Sequence, residues 1–223
     1  METKIEKMDF KTKLVTGFNE FKKSLDNEYV DKTRIKAMEV FSTLGFPARK
    51  DEEYRYTNIF PITNKNFEIS LNKEIGHDDI NKFLIKGLDT NLVVIVNGHY
   101  NKALSKIKSS AEEIFVSDIN ESLNKESVKN NFLKVADYRS DSFIALNTAY
   151  FTGGIYIEIK KELKLPITIL NICGLPEIEV MSQSRIFIYA NKKSSADIIE
   201  ISETINDNYT FSNTVVEIVA DED

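Results

Sequence analysis

Five short β-rich runs fill the last third of this 223-residue chain: Ile155–Ile159, Ile167–Ile172, Ile186–Tyr189, Ile198–Ser202 and Val215–Val219. With Tyr156, Thr168, Phe187, Ile198 and Val215 as anchors, the gaps are 12, 19, 11 and 17 residues. Long and short gaps alternate, so a pair of strands recurs about every thirty residues. A hairpin sandwich tends to show more even spacing and Gly-rich two-residue turns. The alternation favours stacked coils of a β-solenoid, with a β-sandwich as the remaining alternative. The last run is followed only by Ala220-Asp-Glu-Asp223, which leaves a strand without a cap. The expectation is a truncated solenoid whose open edge could also pair two copies as a homodimer.

The residues before Gly154 read differently. Leu14, Val15, Phe18, Phe21 and Leu25 have helical spacing. Ile35, Met38, Phe41 and Leu44 predict a buried stripe on a second helix over 31–44, started by Asp31 or Thr33 and stopped by Gly45 and Pro47. Phe67, Ile69 and Leu71 alternate like a short strand, and 77–88 reads as a short helix. Leu92–Val96 is a buried strand ending in an Asn97-Gly98 turn, and Ile114–Ser117 is a second strand. Asp118 is placed to cap the segment after it, and Phe143–Phe151 to form a buried helix ended by Gly153-Gly154. The fold class is therefore α+β: an N-terminal region of helices and short strands over 1–140, then the β-rich region over 141–223.

Charge and composition exclude several functions. The net charge is −6 with lysines and acids interspersed, unlike the basic stripe of a nucleic-acid binder. The longest aliphatic run, Leu92–Val96, is too short to cross a bilayer, so no membrane role is expected. The start has no apolar signal region, and the lone cysteine, Cys173, has no partner for an internal disulfide. These features predict a cytoplasmic protein.

Residues that could carry chemistry are few. Cys173 has no neighbouring histidine and reads as a buried structural thiol. His77 and His99 each sit beside glycine in a predicted turn. Asp51, Glu52 and Glu53 point in different directions on a helix, and flanking Arg49, Lys50 and Arg55 favour an ion-pair network or a solvated face. Gly153-Gly154 lacks the context of a phosphate loop. No residue is assigned as catalytic, cofactor-binding or metal-binding, and the chain reads as a non-enzymatic structural or interaction module.

The stretch Gly45-Phe-Pro47, Arg49-Lys50, Glu52-Glu-Tyr-Arg-Tyr-Thr57 resembles the N-terminal signature of the SufD family, a subunit of the Suf iron–sulfur cluster assembly machinery. Ala48 replaces the usual Thr and Tyr54 the usual Trp, so an aromatic ring is kept without its indole donor. Further likenesses follow in family order: Val94-Ile-Val-Asn-Gly-His-Tyr100 with Leu104-Ser105, Phe143-Ile-Ala-Leu-Asn-Thr-Ala149, and then Pro166-Ile167, Ser184-Arg-Ile186, Ser194-Ser-Ala196 and Ile199-Glu200. Gly153 stands where the family often has Asp. The resemblance implies a right-handed parallel β-helix behind an α/β cap. It also implies an iron–sulfur scaffold role alongside a SufB-like sibling and a SufC-like ATPase, contacted mostly through a missing C-terminal part. The chain itself is expected to bind no cofactor, the cluster being the product of the full complex. Two other readings remain: a stand-alone adaptor with an open β edge, and a polysaccharide-acting β-solenoid enzyme, for which the β region offers no cluster of acids.

Overall fold

The computed structural model describes residues 8–25, 28–69, 75–174 and 178–221. In chain order, α1 is Phe10–Lys23, α2 Glu28–Leu44, α3 Phe60–Thr63, β1 Glu68–Ile69, α4 His77–Asn81, β2 Asn91–Val96, β3 His99–Tyr100 and β4 Ile114–Asp118. Next come α5 Glu126–Asn131, α6 Ser142–Tyr150, β5 Gly154–Ile159, β6 Ile167–Cys173, β7 Val180–Ser182, β8 Arg185–Ala190, β9 Ile198–Thr204, β10 Thr210–Ser212 and β11 Val215–Ala220. Two compact units result: Met1–Phe67 with Tyr138–Tyr150, and Glu68–Asp137 with Phe151–Asp223.

The first unit is helical. Asp9 caps α1 by accepting a hydrogen bond from the Thr12 amide at 3.1 Å, and Phe10, Leu14 and Phe18 are its buried face. Helix α2 starts before Asp31, and its buried stripe differs from the expected one. Val30, Arg34, Ala37, Met38 and Phe41 face inward, while Ile35 and Leu44 are exposed. The rotation follows from Arg34, which lies fully buried and donates to the Ala149 carbonyl at 3.1 Å. Helix α6 packs its Ala145, Leu146 and Ala149 into the same core, and Asp141 caps it by accepting from the Phe143 and Ile144 amides. Phe46 closes this core: its ring stacks on Phe10 at 5.6 Å and meets Phe41 and Phe143 at 5.2 and 6.0 Å.

The second unit is built on three sheets, of strand order β1-β7-β10, β11-β8-β5-β4 and β3-β2-β6-β9. From β5 onward the chain visits the three sheets in rotation, and every neighbouring pair so made is parallel. Gly154 pairs with Arg185 and Ile167 with Ile198, an offset of 31; Val180 pairs with Thr210 and Arg185 with Val215, an offset of 30. Each round thus holds three strands: the two that recur in the sequence pattern, and a third, because the three-residue β7 and β10 turn the corner. Each of the five β-rich runs falls within one of β5, β6, β8, β9 and β11. Ile155, Ile157, Ile186 and Ile188 share one core with Val93, Ile95, Ile167 and Ile169. The other faces of β2 and β6 pack with α4 through Ile80. With both faces covered, β5, β6 and β8 are buried along most of their length rather than alternating.

Other local expectations shift. Leu71 of the expected 67–71 strand lies outside the described residues. The helix expected over 77–88 ends at Asn81 as α4, and turns with Gly87 at φ 78° follow. Gly154 opens β5 instead of stopping α6. Among the described residues no helix is long and apolar enough to cross a membrane.

Candidate functional site

The Leu44–Asn58 stretch is a tightly cross-braced turn with one open side. Gly45 leaves α2 at φ 68°, in the left-handed region, and its amide donates to the Phe41 carbonyl at 2.7 Å. The Ala48 amide donates to Asp51 Oδ2 at 2.7 Å, and the Asp51 amide returns to the Ala48 carbonyl at 2.9 Å. A single 3-10 turn, Glu52–Tyr54, follows with its acids at the N-terminal end, as the helix dipole favours. The Tyr54 hydroxyl donates to Asp141 Oδ2 at 3.1 Å, and burial together with that carboxylate pushes its pKa up to about 12. Asp141 therefore serves twice, holding Tyr54 and capping α6.

Between these parts runs a groove of about 670 Å³. Leu44, Phe46 and Pro47 line its apolar side; Lys50, Asp51, Glu52, Glu53 and Asp141 line its polar side. A second hollow of about 270 Å³, formed with Glu39, Val40 and Arg139, shares Thr43 and Leu44 with it. Of the two expectations for the charged run, the solvated face is the one found. Arg49, Lys50, Glu52 and Glu53 are exposed, and no ion pair joins them among the described residues.

The aromatic residues of the turn divide into anchors and an exposed ring. Phe46 and Tyr54 anchor the turn, but Tyr56 is 92% exposed, with the Arg55 guanidinium 5.6 Å from its ring. Gly45→Val is therefore expected to lower Tm by about 5 °C or more, since it forces a β-branched residue to positive φ where Lys11 already crowds the added Cβ at 3.1 Å. Tyr56→Ala is expected to leave Tm nearly unchanged. Thermal melts of the two variants side by side check both expectations.

The chemistry-bearing residues lie apart from this groove. Cys173 is buried near Ser182 and Thr210, and burial pushes its thiol up to about 12, so it holds almost no thiolate at neutral pH. His77 opens α4. Asn97 is buried at φ 51°, and its amide side chain clasps Gly174 through both N–H and C=O, at 2.8 and 3.1 Å. Among the described residues no group of three His, Cys, Asp or Glu is placed to hold a metal ion.

One polar cluster was not visible in the sequence. His99 Nε2 lies 3.1 Å from Thr152 Oγ1, and a Cβ on Gly153 would stand 3.3 Å from His99 Nδ1 and 3.6 Å from Asp118 Oδ2. Burial raises the Asp118 pKa, and Oδ1 accepts from the Asn120 amide at 2.8 Å. β3, the end of β4 and the approach to β5 supply these residues, more than fifty positions apart for His99 and Thr152. A second is the fully buried pair Arg185–Glu217, Nη2 to Oε2 at 2.8 Å. Glu217 also accepts from the backbone amides of Leu133, Val135 and Ala136 at 3.0–3.1 Å.

The family model described as the SufBD protein N-terminal region matches residues 8–170 of this chain. An iron–sulfur cluster assembly SufBD family protein of Synechocystis sp. is 23% identical to it over 193 residues. That likeness covers 82% of this chain and 43% of the relative, so the chain spans less than half of that protein's length.

Proposed function

This chain belongs to the SufBD family, and from that premise we propose that it is the N-terminal portion of a SufD-like scaffold subunit for iron–sulfur cluster assembly. The observation that carries the reading is the family match over residues 8–170, which takes in the helical unit and runs on into β6. The proposed architecture is a helical cap and the first rounds of a right-handed parallel β-helix. The three-sheet rotation at 30 to 31 residues per round supports that architecture.

In this reading the portion is structural and not an enzyme. It holds the shape of a cytoplasmic scaffold whose other parts pair with a SufB-like sibling and engage a SufC-like ATPase. The portion itself holds neither the cluster nor ATP. Its one thiol supports that division of labour, because a cysteine needs an accessible thiolate to ligate iron, and Cys173 is buried with a raised pKa.

Anaerobic reconstitution with iron and sulfide tests the reading. After desalting, the isolated chain is expected to retain far less than one iron per molecule, and native Cys173 to resist a thiol reagent until denaturant is added. Stoichiometric iron that disappears in Cys173→Ala would overturn the proposal. So would ATP binding by the isolated chain.

A further inference from the structure

We propose that the groove between Leu44 and Asp141 is a docking site for a protein segment that presents an apolar side chain beside a lysine or arginine. The inference stands on the geometry of the helical unit and does not depend on the iron–sulfur reading.

Three observations meet there. Leu44, Phe60 and Tyr56 are 53, 61 and 92% exposed, the most exposed large apolar side chains of their unit among the described residues. All three fall within or just after one turn, in a unit that buries Phe10, Phe18, Phe41, Phe67 and Tyr150. Leu44 lines the concavity itself, and apolar side chains left exposed close together mark a contact surface. Second, the two hollows share Leu44 as a common ridge, so an incoming side chain finds apolar surface on either side of it.

Third, charge selects the occupant. Four carboxylates line the larger hollow against one ammonium, that of Lys50. Asp51 and Asp141 spend oxygens on backbone amides and on Tyr54, whereas Glu52 and Glu53 face solvent. Of the nearby cations, Arg55 lies over Tyr56, and the Lys11 ammonium stands beside Gly45. With a net charge of −6 behind it, the groove attracts cations and repels phosphate-bearing surfaces. A basic, leucine-bearing protein segment satisfies both the apolar ridge and the acidic wall. A membrane surface or a nucleic acid satisfies neither.

The probe is a fluorescein-labelled amphipathic helical peptide of leucine and lysine, titrated with the full chain and followed by anisotropy. A matched leucine and glutamate peptide serves as the comparison. Leu44→Ser, and Glu52→Lys combined with Glu53→Lys, are each expected to raise Kd by about tenfold or more. The same charge change at exposed Glu203 and Asp207, which line neither hollow, is expected to raise it by about twofold or less. All positions are exposed, and melting curves verify that the variants fold. Equal losses in the control, no effect of Leu44→Ser, or equal binding of the glutamate peptide would each overturn the proposal. So would self-association of the chain, or binding to phosphatidylserine vesicles, that is lost in Leu44→Ser.

Discussion

Gly154→Ala is expected to cost the strand-rich unit more than about 4 kcal/mol and, where that exceeds its stability, to abolish cooperative melting. A Cβ at Gly154 would stand 1.9 Å from the Arg185 carbonyl oxygen and 2.8 Å from its carbon. Both are main-chain atoms of the strand paired with it in register. They cannot yield without sliding β5 against β8, and that slide would misalign the buried columns Ile155–Ile186, Tyr156–Phe187 and Ile157–Ile188. The backbone there has φ 151°, which adds strain for any side chain. Two alanine controls bracket the result. At Gly153 the nearest neighbour of an added Cβ is the His99 ring at 3.3 Å, so a mild loss is expected. At Gly17, inside α1, nothing lies within 4 Å, so a small gain from helix propensity is expected. Circular-dichroism melts decide. Gly154→Ala melting within a degree or two of the parent would refute the close-approach argument.

The second large effect concerns Glu217. Its two oxygens accept from Arg185 and from three backbone amides, and both members of the ion pair are fully excluded from water. Glu217→Ala leaves a guanidinium charge buried without its counterion and three amides without an acceptor. The expected cost is about 3–5 kcal/mol. Burial lowers the Arg185 pKa while Glu217 opposes that shift, so the surroundings alone disfavour the cation. Removing both charges should be far milder: Arg185→Met with Glu217→Leu is expected to recover a large part of the loss. A double-mutant cycle from denaturant unfolding measures the coupling. Additive effects would mean that the pair contributes little beyond the packing of Arg185 over Phe132, at 5.9 Å.

Much of this fold was legible where apolar runs are long. Leu92–Val96 and the five β-rich runs were placed within a residue or two: buried on both faces, β2, β5, β6 and β8 leave a nearly unbroken signal, and β9 and β11 are β-branched runs with an exposed face. β7 and β10 were missed for the opposite reason. Val180-Met-Ser182 and Thr210-Phe-Ser212 are too short to show any period, and only pairing with each other and with β1 defines them. The stripe of α2 was misjudged because Arg34 occupies a core position that a polar residue normally avoids. Glu217 was hidden likewise, an acid on the covered face of β11. The charged turn was conspicuous in the sequence, but the groove was not. Its far wall, Ser140–Ser142, arrives some ninety residues later, and nothing local links Asp141 to Tyr54.

The register of 30 to 31 residues between stacked strands also governs how this unit can assemble. Chain statistics charge each such closure about 3 kcal/mol of entropy beyond a constant, before the first interstrand bond repays any of it. The toll is nearly the same at every round, since neither offset departs from the other by more than one residue. Among the described residues, β2 and β3, joined antiparallel through Ile95 and Tyr100, and the Leu92–Lys106 bridge close over short local segments. Assembly is therefore a serial process with one early bottleneck. Once the first round has docked, it offers a finished template, and each later round meets a barrier of the same height rather than a growing one.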